Sequence, residues 1–475
     1  MRNSYSFSSV FALCAGLIVL SLTNSLAAQP PPQQLTRLRV QPAAAPTPAL
    51  KYKLLPELED KTPGNAALLY LRAFSPEWYM HRRQPNYPGY LSNTNTPVSD
   101  FPKKDLSWLV AYNPLKQLDE AARKETCDWE MPARLREKGI GTLFPEVQGF
   151  RELAALLALR SRLHLANGDF DQAIASLQTG FSLGRDVGQA PTLINFLVGA
   201  AISQIMIKQL EDVIQQPKSP NLYWSLTYLP NPLLDLRKGF EGERLMLYAT
   251  IPELKGIEKE QLSPEKEAKL LDELGNFINA GDGREVRETD HVTLTVMALK
   301  IYPEAKKALI AEGRKPDEVE AMPVLQVVVI QSLRRFREHQ DELYKWLSVP
   351  FPEAKTGLDQ ADKRLRMALE KKDALPFYHM IPAVAKVYNA HANLARKIAA
   401  LRCLEAIRLY AKENDGKPPA KLDDISQVPV PLDPLTGKSF QYQAVGQIIT
   451  LFAAPPATEP PNASNSFTYE MTIES

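Results

Sequence analysis

Cysteine, histidine and net charge are all scarce in this chain. Three cysteines and six histidines occur in 475 residues, and one of the cysteines, Cys14, lies inside the apolar run that opens the sequence. No C-x-x-C pair and no zinc-ligand spacing is present, so neither a redox dithiol nor a structural zinc has a sequence warrant. H-E-x-x-H, G-x-S-x-G and phosphate-cradling glycine loops are missing too, which leaves metal-assisted and nucleophilic catalysis without a motif. No cofactor is implied. The 56 basic and 55 acidic residues nearly cancel, and a chain without excess positive charge is not held on nucleic acid or an anionic membrane by bulk charge.

What is present begins with an export signal. Arg2, the apolar run from Val10 to Leu22, and the small residues Ser25 and Ala27 predict a cleavable signal peptide over residues 1–27. A retained membrane anchor is the competing reading, although the run is shorter than the ~18 residues a spanning helix needs. The expected location is periplasmic or extracellular, with no stable membrane span after cleavage. An oxidising compartment permits Cys127 and Cys403 to pair; the alternative is two buried free thiols, since Cys403 sits on an apolar helical face. Residues 28–50 are rich in Pro, Ala and Gln and predict a disordered spacer.

The remaining chain exceeds the ~250 to 300 residues at which single cores stop growing. A helical body is expected over 51–412, with a break near 250–285, and a small β appendage over 413–475. The fold class is therefore mainly α: an irregular multi-helix array with a C-terminal β-hairpin or three-strand element.

The helical body has readable punctuation. Thr62 and Pro63 predict a helix start, with Ala66 to Phe74 as its apolar body. Ser75 to Asp100 reads as irregular. Glu146 to Asn167 and Asp169 to Arg185 predict a helical hairpin, and Pro191 to Ile214 a strongly apolar helix, buried at the centre of the body. Ser263-Pro264-Glu265 opens another helix, and Gly313 stops one that runs from about Glu285. From Pro323 to Trp346 an apolar stripe includes Val324, Val327, Val328, Leu333, Phe336 and Leu343, and its reverse face, with Arg334, Arg335, Arg337 and Glu338, is expected in water. Leu358 to Lys372 and Leu375 to Lys412 complete the helices. Ser439 to Gln443, Gln447 to Phe452 and Ser466 to Thr472 predict strands.

Three resemblances follow from these residues. The hairpin resembles one tetratricopeptide-type unit, with Leu157 and Ala173 at its large and small packing positions. Arg160, His164 and Arg185 depart from that pattern, and no second copy follows at a period of ~34. The stretch from Ala399 to Phe452 resembles the C-terminal element of type II secretion pseudopilins through Tyr410, Gly416, Lys417, Pro418, Leu422, Pro431, Asp433, Pro434, Gly437 and Tyr442. That family opens with a prepilin-peptidase site, which is lacking here, so pilus assembly is not carried over; its calcium sites suggest Asp433 with Asp423 and Asp424 as oxygen ligands. The runs Asn65–Tyr70, Pro191–Ile194, Pro220–Trp224 and Pro429–Pro434 are similar to a family of uncharacterised exported bacterial proteins, which implies no activity.

The most site-like segment is Trp78, Tyr79, His81, Arg82, Arg83, Tyr87 and Tyr90, whose rings and cations suit a sugar, a peptide or an anionic polymer. The bland reading is a surface loop pinned to the body by its aromatics. His164, with Asp169 and Asp171 nearby in sequence, suggests a metal or general base, or else a groove histidine; His81, His291, His339, His379 and His391 show no i, i+4 pairing. Two functions fit: a non-enzymatic scaffold of the cell envelope that binds a protein or peptide partner, or a polysaccharide-active enzyme on an α-helical toroid.

Overall fold

A strand stands where composition predicts disorder. The computed structural model describes residues 34–139, 146–280, 288–371, 374–375, 377, 381, 384–456, 459–462 and 465–474. Its first element is β1 (Gln34–Val40), which pairs in parallel with the last strand of the chain. The disordered-spacer expectation is corrected over 34–50, whereas residues 28–33 and the predicted signal lie outside the described residues. Composition averaged over the segment hides the alternation of Leu38 and Val40, both buried, with exposed Arg37 and Arg39. Arg37 faces Glu470 across the ladder at 2.9 Å. Beyond β1, the carbonyl of Gln41 accepts from Arg408 Nε at 2.9 Å, and Ala43 N–H donates to the Arg408 carbonyl at 3.2 Å.

Thr62–Asn65 is a short strand, β2, and helix α1 starts only at Ala66 (Ala66–Arg72). Asn65 rather than Thr62 is its cap, accepting from Ala67 N–H at 3.1 Å. The segment expected to be irregular holds α2 (Pro76–Arg82) and α3 (Tyr87–Ser92), each with proline in its first turn. After α4 (Asn113–Ala122), strand β3 (Lys124–Thr126) pairs with β2, and α5 (Met131–Lys138) follows.

Three long helices form the centre: α6 (Val147–Ala166), α7 (Phe170–Gly188) and α8 (Leu193–Ile214). Asp169 caps α7 through Gln172 N–H at 3.0 Å, and Leu157 and Ala173 are fully buried between the pair. Arg160, anomalous for a repeat, donates to both oxygens of Asp119 on α4 at 2.8 and 2.7 Å and to Ser176 at 3.0 Å. By length and composition α8 is apolar enough to cross a membrane, yet most of it is buried against α6, α7 and later helices.

The second half runs through α9 (Tyr223–Thr227), α10 (Leu236–Thr250), α11 (Pro264–Ala280), α12 (Glu288–Ala311), α13 (Pro316–Glu320), α14 (Val324–Tyr344), α15 (Phe351–Lys371) and α16 (Val384–Glu413). The end of α12 is closed by Gly313, at φ 101°. Its N–H donates to Ile310 and that of Arg314 to Leu309, at 3.0 and 3.1 Å, the paired bonds of a Schellman turn. Strands β4 (Gln441–Val445), β5 (Ile448–Ala453) and β6 (Phe467–Ile473) complete a sheet of order β1-β6-β5-β4. The class is mainly α with a small C-terminal β element, and the N-terminal strand joins its edge.

Two buried arginines on α16 tie these parts together. Arg396 grips Asp433 through Nε and Nη2 at 2.8 and 2.7 Å and reaches the carbonyl of Asn465 at 2.7 Å. Arg408 binds Glu405 at 2.8 Å and Ser219 Oγ at 2.7 Å.

Candidate functional site

The aromatic and basic segment does not converge on one open face. Trp78 and Tyr87 are 3% and 4% exposed, because α2 and α3 turn those rings inward; burial pushes the Tyr87 hydroxyl up to about 12. Phe74 meets Trp78 edge-on at 5.0 Å, and His81 stacks on Trp108 at 4.8 Å. Arg82 forms a fork on Glu152 of α6 at 2.9 and 3.0 Å and covers the Trp78 ring. Tyr90 is half-buried, and Tyr79 and Arg83 face solvent.

The other sequence candidates are also accounted for by packing. His164 is half-buried, and burial, reinforced by Arg160, lowers its pKa. Asp169 is engaged as a helix cap, and Asp171 accepts from Tyr52 at 2.8 Å and Lys51 at 3.2 Å. Both oxygens of Asp433 accept from Arg396, and Oδ1 also accepts from Leu435 N–H at 3.0 Å. Among the described residues no group of three His, Cys, Asp or Glu side chains is placed to hold a metal; His379 lies outside them. Cys127 and Cys403 are free thiols, which corrects the pairing. Cys403 points its sulfur at the Pro431 carbonyl, 3.5 Å away, while Cys127 has Asp186 and Asp128 as charged neighbours; burial raises both thiols.

Features that sequence reasoning missed lie in the second half. On α12, Val292, Val296 and Leu299 are 63%, 60% and 56% exposed. Glu258 sits among Arg314, Arg334 and Arg337, so Arg334 and Arg337 of α14 are half-buried in an ion network rather than simply solvated. Glu253 and Glu273 converge on Lys269: burial and the neighbouring Glu253 raise Glu273, whereas Glu273 and Lys269 together overcome burial and lower Glu253. An open depression of about 390 Å³ is lined by Ala49, Leu50, Trp224, Thr227 and Tyr228. The Val292 periodicity was visible in the sequence; its outward direction was not.

No family model, no curated protein and no solved structure matches this chain.

Proposed function

We propose that this chain is a non-enzymatic scaffold of the cell envelope that holds a protein or peptide partner on its helical body. The exposed stripe on α12 carries the reading. Val292, Val296 and Leu299 are spaced i, i+4, i+7, which aligns them on one helix face, while Leu294, Ala298 and Ile301 turn into the core. Burying each such side chain is worth about 1.5–3 kcal/mol, and three of them in register match the anchors of helix-in-groove recognition. Lys300 lies one turn beyond Val296 and is exposed, whereas Lys307, one turn beyond Pro303, is exposed but paired with Glu304 at 2.9 Å. The partner that fits is an amphipathic segment with carboxylates beside its apolar side chains. The predicted signal peptide supports an envelope location.

A polysaccharide-active site is less well supported. It needs two carboxylates ~5–9.5 Å apart beside exposed aromatic platforms. Trp78 and Tyr87 are buried, and Glu253 and Glu273 are both ion-paired to Lys269.

The test is a photo-crosslinking residue at position 296 in the full chain within its native envelope, with position 366 on α15 as a control. A discrete adduct specific to 296, abolished by Val292→Glu in a normally folded protein, is the expected result. Loss of that specificity, or an adduct indifferent to Val292→Glu, overturns the reading. An adduct with a second copy of the chain also overturns the heterologous-partner assignment.

A further inference from the structure

We propose that Arg314, Arg334 and Arg337 form a binding site for an oxyanion, a phosphate or carboxylate group, and that Glu258 is its internal occupant. Three separate elements build it. The Schellman turn after α12 delivers Arg314, one face of α14 delivers Arg334 and Arg337 a turn apart, and the loop before α11 delivers Glu258. Arg334 donates to Glu258 Oε2 through Nη2 at 2.6 Å and Nε at 3.2 Å, Arg337 Nη1 to Oε1 at 3.2 Å, and Arg314 Nη2 to the Glu258 carbonyl at 2.9 Å and, farther off, to Oε2 at 3.5 Å, while Arg337 Nε also donates to the Tyr248 hydroxyl at 2.7 Å. Burial works to raise the Glu258 carboxyl, and the arginines, Arg334 foremost, overcome it and hold the group below the usual carboxylate range.

Two observations point past a structural clasp. Glu312, bonded to Arg334 at 2.6 Å, is the only other carboxylate paired with these arginines among the described residues. Three guanidinium groups against two carboxylates leave one positive charge uncompensated in a half-buried place. Arg314 Nε is, in addition, a buried donor without an acceptor, and such an orphan is destabilising. An incoming oxyanion that carries more charge or more acceptor atoms than the Glu258 carboxylate answers both deficits when it takes that carboxylate's place, and forked guanidinium donors suit its geometry. Arg337 is 42% exposed, which opens the cluster to solvent.

The Glu258 loop does not depend on its carboxylate for its position. Gln326 of α14, itself 1% exposed, donates to the carbonyls of Ile257 and Glu260 at 2.8 and 2.6 Å and accepts from Leu262 N–H at 3.1 Å. The side chain can therefore leave the arginines while the backbone stays. As a tethered competitor present at an effective concentration of order mM, Glu258 keeps a lone small anion weakly bound, so a ligand that displaces it must bring further contacts of its own.

The experiment compares the full chain with Glu258→Gln and Glu258→Asp, titrated with inorganic phosphate and with succinate at constant ionic strength in chloride. Calorimetry and thermal melting are the readouts. The expected result is saturable binding of at least one probe, at least tenfold tighter in Glu258→Gln than in the parent and lost in Glu258→Gln/Arg334→Gln. The shorter Glu258→Asp keeps the charge but leaves a gap, and is expected to gain affinity in the same direction, which covers a Glu258→Gln protein that fails to fold. Phosphate and succinate distinguish the two ligand chemistries. If the folded variants respond to neither beyond chloride, or no more than the parent, the cluster is a clasp alone. The outcome is independent of the α12 stripe.

Discussion

A Cβ added to Gly242 would stand 1.5 Å from the carbonyl oxygen of Pro191. Helix α10 thus crosses the start of α8 backbone against backbone, and the next residue, Glu243, accepts from Leu193 N–H at 3.2 Å. Contact and cap come from consecutive residues on one helix.

Gly242→Ala is expected to destabilise the protein by at least the ~1–3 kcal/mol typical of overpacking, because a carbonyl cannot move aside as a side-chain end can. Gly239→Ala supplies the contrast. Its nearest neighbour is the Leu193 Cδ2 methyl at 3.1 Å, which can rotate away. Urea unfolding of the two variants checks the order; equal costs would mean that the crossing relaxes.

Glu243 also links this crossing to pH. Burial raises its carboxyl from 4.5 to about 7, with the Leu193 N–H offsetting only part. The folded chain then keeps a proton that the unfolded chain has lost, so this contribution is fully present below 4.5 and falls away as pH rises through about 7. His391 acts in the opposite sense: burial lowers it from 6.5 to about 4, and stability declines as pH falls through that range. Glu243→Gln is expected to flatten the high-pH decline and leave the low-pH limb, as read from urea midpoints between about pH 4 and 8. Parallel curves for variant and parent would remove Glu243 from the account.

The Arg396–Asp433 pair has side chains 0% and 3% exposed. Removing one partner strands a buried charge, at a typical cost of ~3–5 kcal/mol. Arg396→Met and Asp433→Leu are each expected to fall in that range. Arg396→Met/Asp433→Leu should lose clearly less than the sum of its single variants, because no charge is left behind. A double-mutant cycle by urea unfolding measures the coupling; additive losses would assign the stability to packing of the stem.

Much of the fold was legible from local signals. The apolar period of α8, Pro264 at the start of α11, Gly313 after α12 and the alternation in β4 to β6 all act within a few residues of where they are read. Contacts made across hundreds of residues were not. β1 needs β6 as a partner, and nothing near Leu38 names Phe467 to Ile473. Even over 41 residues the link was hidden: Arg160 looked like a defect in a repeat because its counter-ion, Asp119, lies on an earlier helix. The arrangement of the candidate segment was hidden for a related reason: aromatic and basic residues have the same composition whether they line a groove or plug one, and the inward direction of Trp78 and Tyr87 is set by the packing around them.

That direction yields a last expectation. Trp78 is buried against Phe74 and beneath Arg82, whereas its neighbour Tyr79 is 49% exposed and touches it edge-on at 4.8 Å. If the segment is an anchor, Trp78→Ala should cost about 3–5 kcal/mol, as for large aromatics truncated in a core. Tyr79→Ala should cost no more than about 1 kcal/mol, the scale of one lost aromatic contact. Thermal and urea unfolding of the two variants decides between the readings. A small loss for Trp78→Ala would mean that the ring is free to swing outward, and the binding role expected from its composition would regain its basis.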